Sequence, residues 1–217
     1  MQVKYSCLAM SAKRELPTEC KKEGSTPAKR QKPLETPEVP GLVFIKEFVS
    51  FDEEQELVEN IDAEDWFEAF PGKNKSRRVQ HYGFEYDYKQ RTVKPTEPMP
   101  EWAIDVATKI DADAQFDQLI VNEYLPGQGI TPHTDAICFG PKIASLSLGS
   151  HCVMRFTKET KVVDVYLPRR SLVVLTGPAR SQWKHQILSR KEDPHPLDLE
   201  RTLARSRRVS VTLRTVL

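Results

Sequence analysis

Gln118-Leu119-Ile120-Val121-Asn122-Glu123-Tyr124, then Leu125-Pro126-Gly127-Gln128-Gly129, then Ile130-Thr131-Pro132-His133-Thr134-Asp135, reads as a strand, a Gly/Pro turn and a second short extended piece. Successive side chains of an extended backbone alternate faces. Ile120, Asn122 and Tyr124 therefore share one face, and His133 and Asp135 share one face. An imidazole and a carboxylate so placed can reach one metal ion. His-x-Asp alone is weak evidence: with five histidines in the chain, one such pair arises by chance with odds of roughly one in four.

After Phe116, strand-like runs follow at close spacing: 118–124, 143–148, 151–156, 162–167, 171–176, 184–188 and 208–216. Turn residues punctuate them, including Pro126-Gly127, Gly149, Pro168 and Gly177-Pro178. Many short strands with turn signals indicate a sandwich or a closed jelly roll. Before them, Leu42–Ile45 reads as a strand. Ser50-Phe51-Asp52-Glu53 is a capping box opening a helix with Leu57, Val58 and Ile61 on one face. Pro98 and Pro100 precede a second helix with Trp102, Val106 and Ile110 four residues apart. Tyr82, Phe84, Tyr86 and Tyr88 alternate with polar residues, a strand signal. The expected fold is mainly β, with a double-stranded β-helix (jelly roll) core and two flanking helices covering one sheet, α+β overall. The highly charged residues 189–206 read as a mobile, irregular loop.

The 217 residues suit one domain with a tail. Residues 1–40 carry five prolines (Pro17, Pro27, Pro33, Pro37, Pro40) and a net charge of +3. They lack the apolar content to offset ordering entropy and read as a disordered basic tail. Lys29-Arg30-Gln31-Lys32 is a solvated basic patch, or a nuclear-import signal as the alternative. Residues 41–217 read as the folded domain. Overall charge nearly cancels, 32 basic against 31 acidic residues, so only local patches can argue for nucleic acid. No apolar run reaches the roughly 18 residues of a membrane helix. No secretory signal is evident, and the four cysteines form no Cys-x-x-Cys pair. An intracellular protein of the cytoplasm or nucleus, not bound to membrane, is expected.

Three features strengthen His133-Thr134-Asp135. His185, on the strand-like 184–188, is a candidate third ligand, since a jelly roll can bring a late strand beside an early one. Two histidines and a carboxylate on one side of iron leave the other positions open, as non-haem Fe(II) oxygenases need. Zinc with Cys138 as a fourth ligand is the alternative. On 208–214, Arg208, Ser210, Thr212 and Arg214 alternate with Val209, Val211 and Leu213. That polar face is either solvent-exposed or, opposite a metal, a surface for a dianion held by Arg208 and Arg214. Asn122 and Tyr124 can donate hydrogen bonds to a carboxylate, although core packing would also account for Tyr124.

Asn-x-Tyr-x-x-Gly-x-x-x-x-x-His-x-Asp, a later His and Arg-x-x-x-x-x-Arg on the final strand together resemble the AlkB family of Fe(II)- and 2-oxoglutarate-dependent dioxygenases. The resemblance runs from about residue 41 to 217. It implies His133, Asp135 and His185 as iron ligands and Arg208 as partner of the distal carboxylate of 2-oxoglutarate, with Tyr124 and Ser210. It places Asn122 and Arg214 toward the iron, Arg214 also orienting Asp135. It implies Fe(II), O2 and 2-oxoglutarate, the last leaving as succinate and carbon dioxide while a C–H bond is hydroxylated. Repair members of the family usually carry acid just after His-x-Asp, where this chain has Ala136-Ile137-Cys138. Residues 77–83, 145–150 and 167–172 look more like the eukaryotic branch that hydroxylates modified wobble uridine in tRNA. Animal members of that branch also carry an RNA-recognition module and a methyltransferase domain, neither of which is expected within these 217 residues.

Residues 73–100 would then be a nucleotide-recognition lid. Its 73–94 segment has seven basic and two acidic residues, interleaved with aromatics suited to phosphate contact and base stacking. Arg77, Arg78, Tyr82 and Tyr86 are its candidate substrate contacts; the bland alternative is a solvated loop and a core strand. The function expected is hydroxylation or demethylation of a modified nucleic-acid base, RNA (tRNA) favoured, by a monomer. DNA alkylation repair, or hydroxylation of a protein or small molecule, is the alternative. A non-catalytic metal-stabilised or RNA-binding module is a third reading.

Overall fold

The computed structural model describes residues 34–35, 38–72, 76–87, 90 and 92–217. Most of the 1–40 segment with its basic patch, and Lys73, Lys75 and Tyr88 of the lid, lie outside the described residues. In chain order come β1 (Leu34–Glu35), β2 (Leu42–Ile45), α1 (Phe51–Asp62), β3 (Phe67–Glu68), β4 (Arg78–Tyr82), β5 (Phe84–Asp87) and β6 (Thr92–Pro95). There follow α2 (Glu101–Ile110), β7 (Gln118–Tyr124), β8 (Ile130–His133), β9 (Ile143–Leu148), β10 (Cys152–Lys158), β11 (Lys161–Leu167) and β12 (Leu172–Leu175). The chain continues through α3 (Gly177–Ser181), β13 (Lys184–Ile187), β14 (Glu192–His195), β15 (Asp198–Ala204) and β16 (Arg208–Arg214).

Eight strands form the larger sheet, in the order β1-β2-β12-β9-β16-β7-β4-β3, and four form the smaller, β11-β10-β13-β8. The two faces of the larger sheet bury different things. Leu119, Val121, Leu146, Leu148, Val209, Val211 and Leu213 pack with Leu57 and Ile61 of α1 and Ala103, Val106 and Ala107 of α2. The opposite face meets the smaller sheet through Tyr124, Ile143, Val173 and Leu175 against Met154, Phe156 and Ile187. This is the jelly-roll core with two helices covering one sheet. α1 is set by its capping box: Ser50 Oγ accepts from Glu53 N at 3.1 Å and Glu53 Oε2 from Ser50 N at 2.6 Å. Both orphan donors at the helix start are thereby satisfied.

Two expectations are corrected. Residues 82–87 are not one strand. Gly83 takes φ +73°, and a Cβ there would sit 1.8 Å from the Asp117 carbonyl oxygen. The chain leaves the large sheet at this glycine and turns back as the β5–β6 hairpin, Phe84 opposite Pro95. The charged segment 189–206 is also regular: β14 pairs with β15, Glu192 opposite Ala204. Its anchor is Asp193, 0% exposed. Asp193 accepts from Arg190 Nε (2.8 Å), from Arg205 Nε and Nη2 (2.6 and 2.7 Å), and from Val153 N of β10 (3.2 Å). In the segment expected to be a mobile, irregular loop, Asp193 pairs with Arg190 and Arg205 instead. Gly177-Pro178, read as a turn, opens the short α3.

Candidate active site

Three strands of the larger sheet present polar rows toward the smaller one. In β16, Ser210 lies opposite Asn122 of β7 and Ser147 of β9, and Thr212 opposite Ile120 and Ser145. Ser145 Oγ lies 2.9 Å from Ser210 Oγ and 3.2 Å from Thr212 Oγ1. Ser210, Thr212 and Arg214 thus face a cleft inside the protein, not solvent. The cleft holds about 490 Å³ of space, part of it open to solvent, and is lined by Asn122, Tyr124, His133, Asp135, His185 and Arg214 among others.

At its mouth His133, Asp135 and His185 offer ligand atoms within 4.8 Å of one another. β8 and β13 are antiparallel neighbours, and His133 is the register partner of His185. Their rings are 4.3 Å apart between centroids. Asp135 follows two residues past β8, its Oδ2 3.5 Å from His185 Nε2. His133 Nδ1 lies 2.8 Å from the Thr131 carbonyl. A carbonyl can only accept, so Nδ1 carries the proton and Nε2 keeps its lone pair for a metal.

The electrostatics prepare these groups as ligands. Burial raises the Asp135 carboxyl, but Arg214, then His185 and His133, outweigh it and hold it at about 2. Arg214 Nη2 donates to Asp135 Oδ1 at 2.6 Å. Burial pushes the His185 imidazole down to about 4, against the pull of Asp135. A carboxylate and an imidazole with a free electron pair are the forms that bind metal. Two nitrogens and one oxygen, with no converging thiolate among the described residues, suit Fe(II) with open positions better than a closed zinc site. Cys138 is not among the converging donors.

Deeper in the fold, Arg208 is 2% exposed. Its Nη2 donates to Ser147 Oγ at 2.8 Å, and its guanidinium lies over the Tyr124 ring at 5.5 Å. Its Nε and Nη1 are buried without a partner among the described residues. A buried guanidinium with unused N–H groups on two nitrogens is costly alone and would be satisfied by a carboxylate. The residues present therefore fit both iron and a dicarboxylate co-substrate.

A family model described as the 2OG-Fe(II) oxygenase superfamily matches residues 41–214. The chain belongs to that superfamily. Within it the chain is an AlkB-family dioxygenase, using Fe(II), 2-oxoglutarate and O2. It is 40% identical over 169 residues to the tRNA (carboxymethyluridine(34)-5-O)-methyltransferase ALKBH8 of Mus musculus, covering 71% of this chain and 25% of that protein. It is 36% identical over 211 residues to the Alkylated DNA repair protein ALKBH8 homolog of Arabidopsis thaliana, covering 82% and 59%. The chain thus spans about a quarter of the length of the mouse relative. The solved structure of OsALKBH1 shares the fold, with a TM-score of 0.61 and 18% identity over 81% of this chain and 97% of that one. When bound, iron and 2-oxoglutarate supply the oxidation: O2 is consumed, 2-oxoglutarate becomes succinate and carbon dioxide, and one oxygen atom enters a C–H bond.

The lid residues separate. Arg77 is buried, and its Nε donates to Asn122 Oδ1 at 2.8 Å. Arg78 holds Glu123 through Nε and Nη2 (2.6 and 2.7 Å) and lies over Trp66 at 5.1 Å. Tyr82 is 9% exposed in the core beneath the helices. Arg77 and Tyr82 are buried in the fold, which corrects the expectation of phosphate contact by Arg77 and stacking by Tyr82; the Arg78 side chain is 47% exposed beside its ion pair with Glu123. Tyr86, beyond the glycine break, lies with its ring 5.7 Å from that of Phe139, over which Arg214 lies at 4.6 Å. His151 Nε2 is 3.8 Å from Asp193, and Trp183 and Cys152 are core residues. Sequence reasoning gave Ser145 no place in the cleft and assigned Arg77 to substrate instead of to Asn122. The period-two Ser145-Leu146-Ser147-Leu148 could have revealed the first; nothing in residues 77–78 distinguishes a buried arginine from an exposed one.

Proposed function

We propose that this AlkB-family oxygenase oxidises a modified base in RNA, tRNA favoured, either leaving the hydroxyl in place or removing an N-alkyl group. His133, Asp135 and His185 hold the iron. Arg208, Ser210 and Tyr124 hold the far carboxylate of 2-oxoglutarate, and Asn122 and Arg214 the end near the iron. The observation carrying the substrate class is the identity with the mouse relative, whose name assigns it to a uridine of tRNA. Ala136-Ile137-Cys138 after the ligand pair supports RNA over DNA repair, since repair members of the family usually have acid there. The Arabidopsis relative's name supports DNA alkylation repair as the second reading. Among the described residues no helix is long and apolar enough to cross a membrane.

The test is nucleoside mass spectrometry of tRNA incubated with protein, Fe(II) and 2-oxoglutarate. A modified uridine gaining the mass of one oxygen, or an alkylated base losing its alkyl group, is expected with wild type and not with Asp135→Ala. Unchanged tRNA nucleosides, alongside intact conversion of 2-oxoglutarate to succinate, would remove RNA as the substrate. Repair of alkylated DNA under the same conditions would then establish the second reading.

A further inference from the structure

The three ligand residues are not held in the same way. His133 and His185 are register partners in a β ladder, so backbone hydrogen bonds fix their separation. Asp135 lies beyond the end of β8, in a stretch with no ladder of its own. Its carboxylate is tied by Arg214, but its backbone must be held by something else. A ligand needs positioning to within about half an ångström for productive chemistry.

Arg180, on α3, meets that need. Its Nη1 donates to the Asp135 carbonyl at 3.1 Å, and its Nη2 to the Ala136 and Phe139 carbonyls at 2.7 and 2.9 Å. Its Nε donates to the Gly140 carbonyl at 3.2 Å. One planar guanidinium thus spends four of its N–H donors on the carbonyls of a single loop. The loop is closed on its other side by Gly140 N to the Thr215 carbonyl at 2.8 Å and Leu217 N to the Cys138 carbonyl at 2.9 Å. No carboxylate hydrogen-bonds Arg180 among the described residues. Its charge remains partly uncompensated beside Asp135, and burial lowers its pKa while Asp135 acts to raise it.

We infer that Arg180 is a positioning residue for the iron site: it fixes the backbone of the 135–140 loop so that the Asp135 carboxylate meets the metal in register with the two ladder-held histidines. The same clamp sets Phe139, whose ring faces Tyr86. Lysine cannot substitute. An ammonium concentrates its three donors at one point and cannot span carbonyls spread over six residues.

This inference rests on Asp135 being an iron ligand, and the experiment separates the two. Fe(II) affinity is titrated anaerobically at saturating 2-oxoglutarate, reading the visible charge-transfer band, for wild type, Arg180→Ala, Arg180→Lys and Asp135→Ala. Folding of each is checked by circular dichroism. The expected result is a loss of about 10- to 100-fold in iron affinity for both Arg180 variants, with the band shifted in the folded Arg180→Lys protein. Wild-type affinity and an unshifted band in a folded Arg180 variant, while Asp135→Ala loses iron, would overturn the inference and leave the ligand assignment standing. Failure of both Arg180 variants to fold would assign this side chain to the fold alone and overturn it as well. Undiminished iron binding by Asp135→Ala would overturn the ligand set itself. No nucleic acid enters the assay, so the substrate does not affect its outcome.

Discussion

Replacing Arg208 by methionine should stabilise the protein in the absence of ligand and abolish its stabilisation by 2-oxoglutarate. The guanidinium is 2% exposed, and two of its three nitrogens have no partner among the described residues. An uncompensated buried cation costs several kcal/mol. Methionine keeps much of the length and the contact with Tyr124 while removing that cost; losing the hydrogen bond to Ser147 returns about 1–2 kcal/mol. The balance favours the variant by about 2 kcal/mol. For a domain of this size that raises the melting temperature by roughly 4–8 °C. Wild type loaded with Mn(II) and 2-oxoglutarate at about 100 times the dissociation constant gains about 2.7 kcal/mol, a similar rise. The variant should gain none from the co-substrate. Scanning calorimetry with and without 2-oxoglutarate reads both effects. A methionine variant that melts below wild type without ligand, yet keeps the full ligand-induced shift, would refute the reasoning: the charge would be compensated within the protein and the carboxylate bound elsewhere.

Asp193→Ala should cost about 3–5 kcal/mol, because it leaves Arg190 and Arg205 beside an empty buried position; urea unfolding measures it, and amide exchange should rise first across 192–204. Gly83→Ala should lower stability by about 3 kcal/mol or more, combining positive φ with a steric overlap on backbone; a thermal midpoint equal to wild type would contradict the strand break. Burial opposes ionisation of Glu123, but Arg78 and Arg207 outweigh it and hold its carboxyl below the usual range. The unfolded chain therefore takes up that proton first on acidification, so the contribution of Glu123 is intact above about pH 5 and is lost as pH falls below it. Glu123→Gln should be about 2–4 kcal/mol less stable at pH 7, with a shallower decline between about pH 5 and 3 in denaturant titrations.

What the sequence made legible and what it did not divide along a physical line. His133, Asp135, Asn122 and Tyr124 could be placed because a strand of period two maps sequence onto face, and the jelly-roll strands carry that period with little interruption. The helices announced themselves through Ser50, Glu53 and Pro100, whose chemistry is local. The errors arose where a long-range partner decides the outcome. Tyr82 and Tyr86 look equivalent in sequence, yet Gly83 sends one beneath the helices and the other toward Phe139, because the Asp117 carbonyl leaves no space for a Cβ. Arg77 and Arg78 read alike as free cations, yet Arg77 is buried against Asn122 while Arg78 stays half-exposed beside Glu123, each partner 45 residues away. Asp193 turns a charged segment into a hairpin in the same way. Arg180 marks the limiting case. Its partners are main-chain carbonyls, which every residue possesses, so no residue type or spacing could have signalled them. A ligand set can be read from side chains alone, but the clamp that holds one of those ligands in place is written in backbone geometry and becomes visible only once the loop is folded.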